Sequence, residues 1–156
     1  MALLAAYNFD EASGSVLDVT GNGHDFALSG SSARTSSGAG HTDKGLTQGT
    51  TSNDAGPAVF GQTASRTLMA WVKVTSAPSA GWAWEWHDND ADTGRWGFLW
   101  LSGKMGIRGT NGSGSSQHVG VTSAADSQWH HWAGTYDGTT VRFYLDGTLA
   151  ASAALS

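Results

Sequence analysis

Leu68, Ala70, Val72 and Val74 alternate with Met69, Trp71 and Lys73 along the stretch Arg66 to Val74. A period of two puts the two sets on opposite faces of an extended strand. Patterns of this kind predict antiparallel strands over residues 66–74, 82–87, 95–101, 129–136 and 141–146. Asp137-Gly138 lies between "WHHWAGTY" and "TVRFYL", and Asp146-Gly147 follows; both are hairpin signals. "KMGIRG" reads as a further short strand that ends in the loop "TNGSGSS". Nearer the start, Ala2 to Phe9 reads as a first strand and "FALSG" as a short second one. Between them "DVTGNGHD" is turn material, since Asn and Gly tolerate positive φ. Ser29 to Ser52 reads as loop around one short strand at Gly45-Leu46, or as a flexible insert. No segment combines helix caps with a helical period for more than two turns. The expected class is all-β, a sandwich or jelly roll.

Composition narrows the picture. The 156 residues suggest one domain, long enough to bury a core. With 22 Gly, 2 Pro and only 13% charged residues, short strands joined by glycine-rich turns are the natural arrangement. The net charge of −5 offers no patch to neutralise phosphates, so nucleic acid is excluded as an expected partner. There is no cysteine, which removes disulfides, thiol nucleophiles and thiolate metal sites. No segment approaches the ~20 apolar residues a membrane span needs. The opening "MALLAAY" lacks a basic n-region, so the expectation is synthesis in a cytoplasm without a secretory signal.

Eight Trp in a chain of this size call for an explanation. In "WAWEWHDNDADTGRWGFLW" Trp82, Trp84 and Trp86 alternate on the way in, and Trp96, Phe98 and Trp100 on the way out. Each set shares a face of its strand, with Ala83, Glu85 and His87 opposite the first. Two readings stay open. Trp82, Trp84, Trp86, Trp96 and Trp100 form a ligand platform, because flat rings suit the apolar C–H faces of sugars. Alternatively the rings are core, with Trp86 and Trp96 partly exposed near the loop. The loop itself places Asp88, Asp90 and Asp92 at alternate positions before Gly94. Alternating oxygen ligands before a glycine suit calcium, although Asp and Asn also favour plain hairpin tips. The histidines show no zinc spacing, and His130 and His131 point to opposite faces, so no site is expected from them. Catalysis has little support: Glu85 and Asp88 fall on opposite faces, Glu11 lies in a loop, and no nucleophile elbow occurs.

Three stretches carry a family resemblance. "AAYNFDEASGSVLDVTGNGHDFALSG", "TLMAWVKV" and "QWHHWAGTYDGTTVRFYLDGTLAA" resemble, in order, segments of a laminin G-like domain of the concanavalin A-like superfamily. The resemblance implies an antiparallel two-sheet jelly-roll sandwich. It implies a non-catalytic module that binds glycans or proteins, often with a calcium ion, and makes Asp18 and Asn22 a second candidate metal site. Laminarinases on this fold carry E-x-D-x-E along one strand, which this chain lacks. Related domains continue for about three more strands beyond the equivalent of Asp146-Gly147. The expectation is therefore a domain over residues 1–156 lacking its C-terminal strands, with Ala5 to Phe9 as an open edge completed by further chain or by another subunit. The opening and the Ala/Gly/Thr-rich style also resemble minor tail and head-decoration proteins of actinobacterial phages. The resulting expectation is a carbohydrate or cell-surface binding module on a virion surface, partnered by host glycan and other virion subunits, in a homo-oligomer or larger assembly. A structural decoration protein without a small ligand is the alternative, and a glycan-active enzyme fragment the third.

Overall fold

The computed structural model describes residues 3–47, 65–76, 81–86, 95–111, 113–122 and 125–155, with residues 82–86 described by their backbone alone. The chain divides into two compact units, Met1–Val59 and Phe60–Ser156. No helix occurs among the described residues, and the strands pair antiparallel, so the fold is all-β.

Among its described residues the first unit holds two short strands, β1 (Ala33–Arg34) and β2 (Leu46–Thr47), paired antiparallel. Val16 and Phe26 form an isolated bridge and are buried, with the Tyr7 ring edge-on to Phe26 at 5.1 Å. Two expectations are corrected here. "FALSG" supplies only the bridge residue Phe26, and residues 3–9 form no strand. The cause is competition for the backbone. Ala6 N–H donates to Asp18 Oδ1 at 3.1 Å, and Ala6 C=O accepts from Val19 N–H at 2.9 Å. The Leu3 and Leu4 carbonyls accept from the Asn22 side-chain amide at 3.2 and 2.9 Å. Groups that a strand would offer to a neighbour are committed to a turn, and Phe9, at φ 64°, breaks the extended run. The expected open edge at Ala5 to Phe9 therefore does not exist as a strand edge.

Among its described residues the second unit forms two four-stranded sheets. Its strands are β3 (Arg66–Lys73), β4 (Gly81–Trp86), β5 (Trp96–Leu101), β6 (Lys104–Thr110), β7 (Ser116–Val121), β8 (Trp129–Tyr136), β9 (Thr140–Leu145) and β10 (Thr148–Ala154). One sheet runs β10-β9-β8-β3 and the other β4-β5-β6-β7. The five strands predicted from alternation all form, each within a residue of its expected ends. The strand β7 goes beyond that prediction. Its hairpin with β6 closes on Asn111, whose Oδ1 accepts from Ser113 N–H at 3.1 Å and Ser115 N–H at 2.9 Å, with Gly114 at φ 83°.

The core lies between the sheets. Leu68, Trp132, Tyr136, Val141 and Phe143 face Trp96, Phe98, Trp100, Met105, Ile107 and Val119. Phe98, Trp132 and Phe143 pack edge to face, with centroids 5.6–6.3 Å apart, a favourable arrangement for aromatic quadrupoles. Gly134 lets the sheets approach: a Cβ there would lie 2.3 Å from Ile107 Cδ1.

Candidate functional site

On its β5 side the Trp-rich hairpin is a core element. Trp96 is 0% exposed and Trp100 is also buried. These two expected platform rings, and the expected partial exposure of Trp96, are corrected: their faces pack against the opposite sheet. The Arg66 guanidinium lies over the Trp96 ring at 5.1 Å and the Tyr136 ring at 5.2 Å. Along β4, Trp84 and Trp86 are the register partners of the core residues Phe98 and Trp96. The register shifts between Trp82 and Trp84, so Trp82 pairs with Leu99 instead. A bulge interrupts strict alternation, and the expected common face for all three Trp positions of β4 loses its basis in spacing. Asp88, Asp90 and Asp92 lie outside the described residues.

Asp18 and Asn22 are brought close in sequence and function, but as fasteners of the chain. The buried Asp18 carboxylate accepts from Ala6 N–H, Thr20 N–H, the Thr20 hydroxyl at 2.7 Å and His24 N–H, and its Oδ2 lies 3.2 Å from His24 Nδ1. Asn22 directs its amide N–H groups at carbonyls. This donor-rich surrounding does not fit a calcium site, which needs oxygens turned toward one point. Among the described residues no group of three or more His, Asp or Glu is placed to hold a metal ion. Burial alone would raise the Asp18 pKa, but the hydrogen bonds from Thr20, Ala6 and His24 outweigh it and hold the carboxyl well below the usual range. Burial, with Asp18 and Asp25 nearby, pushes the Tyr7 hydroxyl up to about 12.

A stability test follows from that hub. Asp18→Ala is expected to lower the melting temperature by several degrees at neutral pH. Because the folded-state pKa is depressed, the wild-type contribution is present above the usual carboxylate range and lost as pH falls through the folded value. The gap between the two proteins should narrow on acidification. A constant gap in melts from about pH 7 down to about pH 3 would contradict this assignment.

Glu11, one of the two glutamates in the chain, is equally committed. Its Oε1 accepts from Leu17 N–H at 2.8 Å, and its Oε2 pairs with Arg34 Nε at 3.1 Å.

The feature that spacing alone did not single out lies on the outer face of the β10-β9-β8-β3 sheet. Register places Met69 beside Ala133, Ala133 beside Tyr144, and Tyr144 beside Leu149. Register partners share a face, so these four form a row straight across four strands, about 14 Å long at the usual strand spacing. Met69 is 59% exposed and Leu149 52%. One step along, Trp71 is 47% exposed and pairs with His131, their rings 5.3 Å apart and inclined at 62°. On the other side runs a polar row: Thr67, Thr135, Arg142 and Ser152. Arg142 is charge-balanced by Asp137 at 2.5 Å. Spacing predicts no zinc site from the histidines, but His130 meets two carboxylates. His130 Nδ1 lies 2.7 Å from Asp146 Oδ2, and its Nε2 lies 3.1 Å from Asp126 Oδ2.

Residues 43–156 match the family model Laminin_G_3, described as the Concanavalin A-like lectin/glucanases superfamily. The matched span holds "TLMAWVKV" and the β8–β9–β10 segment and begins after the opening stretch. No curated protein and no solved structure matches the chain.

Proposed function

Because this chain belongs to the laminin G-like family of the concanavalin A-like lectin/glucanase superfamily, we propose that it is a non-catalytic carbohydrate-binding module whose platform is the outer face of the β10-β9-β8-β3 sheet. The observation that carries this reading is the row Met69–Ala133–Tyr144–Leu149, exposed at its two ends and half-buried at Ala133 and Tyr144, flanked by the exposed Trp71. Large exposed apolar side chains gathered on one flat face mark an interaction surface. A pyranose ring has an apolar C–H face and a rim of hydroxyls, and the sheet offers the same two chemistries side by side. The apolar row meets ring faces, and Thr67, Thr135, Arg142 and Ser152 offer hydrogen bonds to the rim. The ion pair of Arg142 with Asp137 leaves that flank without an uncompensated cation, which favours a neutral over an acidic glycan.

The non-catalytic part of the proposal is supported by Glu11, whose carboxylate is tied to Arg34 and Leu17, and by the lack of an E-x-D-x-E run in the sequence. Calcium stays attached to Asp88, Asp90 and Asp92 as a proposal from their spacing alone. Display on a virion surface, beside other virion subunits, rests on the style of the opening stretch. The reading is tested on a glycan array with the purified chain. Retention on neutral polysaccharides is the expected result. Silence across the array would favour a structural decoration protein whose apolar row is covered by another subunit.

A further inference from the structure

Three elements of the second unit converge on the His130 ring. Asp126 comes from the segment before β8, His130 from β8 itself, and Asp146 from the turn between β9 and β10. Asp146 does more than meet the imidazole. Its Oδ1 accepts from His131 N–H at 2.9 Å, and its own N–H donates to His131 C=O at 2.9 Å. It adopts φ 51°, the left-handed conformation that the first residue of the two-residue Asp146-Gly147 hairpin turn takes. Asp126 Oδ1 accepts from Gln128 N–H at 2.9 Å, and the neighbouring Ser127 also has positive φ, 62°. An unbroken path therefore runs from Asp126 through His130 and Asp146 to the His131 backbone, and from the His131 ring to Trp71 at 5.3 Å.

We propose that Asp126, His130 and Asp146 form a clamp that positions the Trp71–His131 pair of the platform and slackens when the His130 ring loses a proton. The proposal rests on the platform reading above. An imidazolium donates from both nitrogens and can serve both carboxylates at once. A neutral imidazole has one N–H, so deprotonation, with the proton leaving to solvent, turns a lone pair toward one of the two carboxylates. That contact then becomes repulsive.

The surrounding charges favour the protonated state. Asp146 and then Asp126 hold the His130 pKa above the usual histidine value. The Asp126 carboxyl is lowered by Gln128 N–H and His130, and that of Asp146 by His130 and the His131 N–H. Across the sheet on β3 the register partner of His130 is the uncharged Val72, and Lys73 stands opposite Trp129. The sign follows: a raised folded-state pKa gives a clamp that is fully set below the ordinary histidine range and lost as pH rises through the raised value.

The test reads Trp71 directly. Protein labelled with 5-fluorotryptophan is titrated from about pH 5 to about pH 9, with the Trp71 resonance assigned by its loss in Trp71→Phe. Since His131 lies against Trp71, the titration is repeated in His131→Asn, where His130 alone of the two remains. The Trp71 resonance is expected to move with a midpoint above the usual histidine range in both proteins, and to lose that transition in His130→Gln. Asp126→Asn, which leaves one carboxylate on the ring, should lower the midpoint, and it serves if His130→Gln does not fold. A transition unchanged in His130→Gln, or a midpoint unchanged in Asp126→Asn, overturns the clamp. A protein silent on the glycan array whose Trp71 still follows His130 overturns the platform and leaves the clamp standing. Glycan binding with a Trp71 resonance indifferent to pH overturns the clamp alone.

Discussion

Trp96→Ala is expected to lower stability by about 3–5 kcal/mol, the cost of emptying a large aromatic site in a packed core. The ring is fully buried on β5, with Tyr136 6.3 Å away centroid to centroid and the Arg66 guanidinium at 5.1 Å. Its removal takes away volume, an aromatic partner and one of the two rings that face a buried cation. Trp96→Phe should cost much less. Trp96 Nε1 is buried and finds no hydrogen-bond partner among the described residues, so the phenyl ring keeps most of the packing and removes a desolvated N–H. Denaturant titration followed by far-UV dichroism measures both. A Trp96→Ala protein as stable as wild type would return this ring to the surface and reopen the hairpin as a platform.

The contrast between Trp96 and Trp71 shows what alternation along a strand can convey. It placed β3, β5, β8 and β9 because their apolar positions recur every second residue, and the two hairpins around Asp137-Gly138 and Asp146-Gly147 because those pairs suit tight turns. It also separated Leu68, Ala70 and Val72 from Met69, Trp71 and Lys73. It did not say which set faces inward. On hydrophobicity alone Trp71 and Met69 would go inside before Ala70. Packing decides otherwise, because Trp132, Tyr136 and Phe143 on the neighbouring strands fill the inner face and leave room for a small residue beside them. The N-terminal segment failed for a related reason. Residues 3–9 are a mostly apolar run that suits a strand, but Thr20, Asn22 and Asp18, more than ten residues away, bind their backbone. The carboxylates of His130 were invisible because one is four residues back and the other sixteen ahead. Only the pairing of β8, β9 and β10 brings them together. The strand β7 was hidden by its polar run: Val119 and Val121 alone mark its inner face, after the loop that ends β6.

Trp71→Ala is expected to separate binding from folding. Its side chain is half exposed on an outer face, and substitutions at such positions usually change stability by less than about 0.5 kcal/mol. The inner face of β3 remains intact in the variant, since Leu68, Ala70 and Val72 are untouched. If the outer face is the glycan platform, an exposed indole on its β3 edge behaves as an anchor residue, and its loss should weaken binding by about 2 kcal/mol, roughly 30-fold. Leu149→Ala, at the far end of the row on β10, should weaken binding less, because a short ligand engages the Trp71 end and leaves the last position free. Affinity for polysaccharides of increasing length sorts these effects: the Leu149 contribution should grow as the ligand becomes long enough to span four strands, while the Trp71 contribution stays. Wild-type affinity in Trp71→Ala, with its melting temperature unchanged, would move the binding surface away from this sheet. A large drop in melting temperature would mean that Trp71 supports the fold and that the exposed row is part of the packing after all.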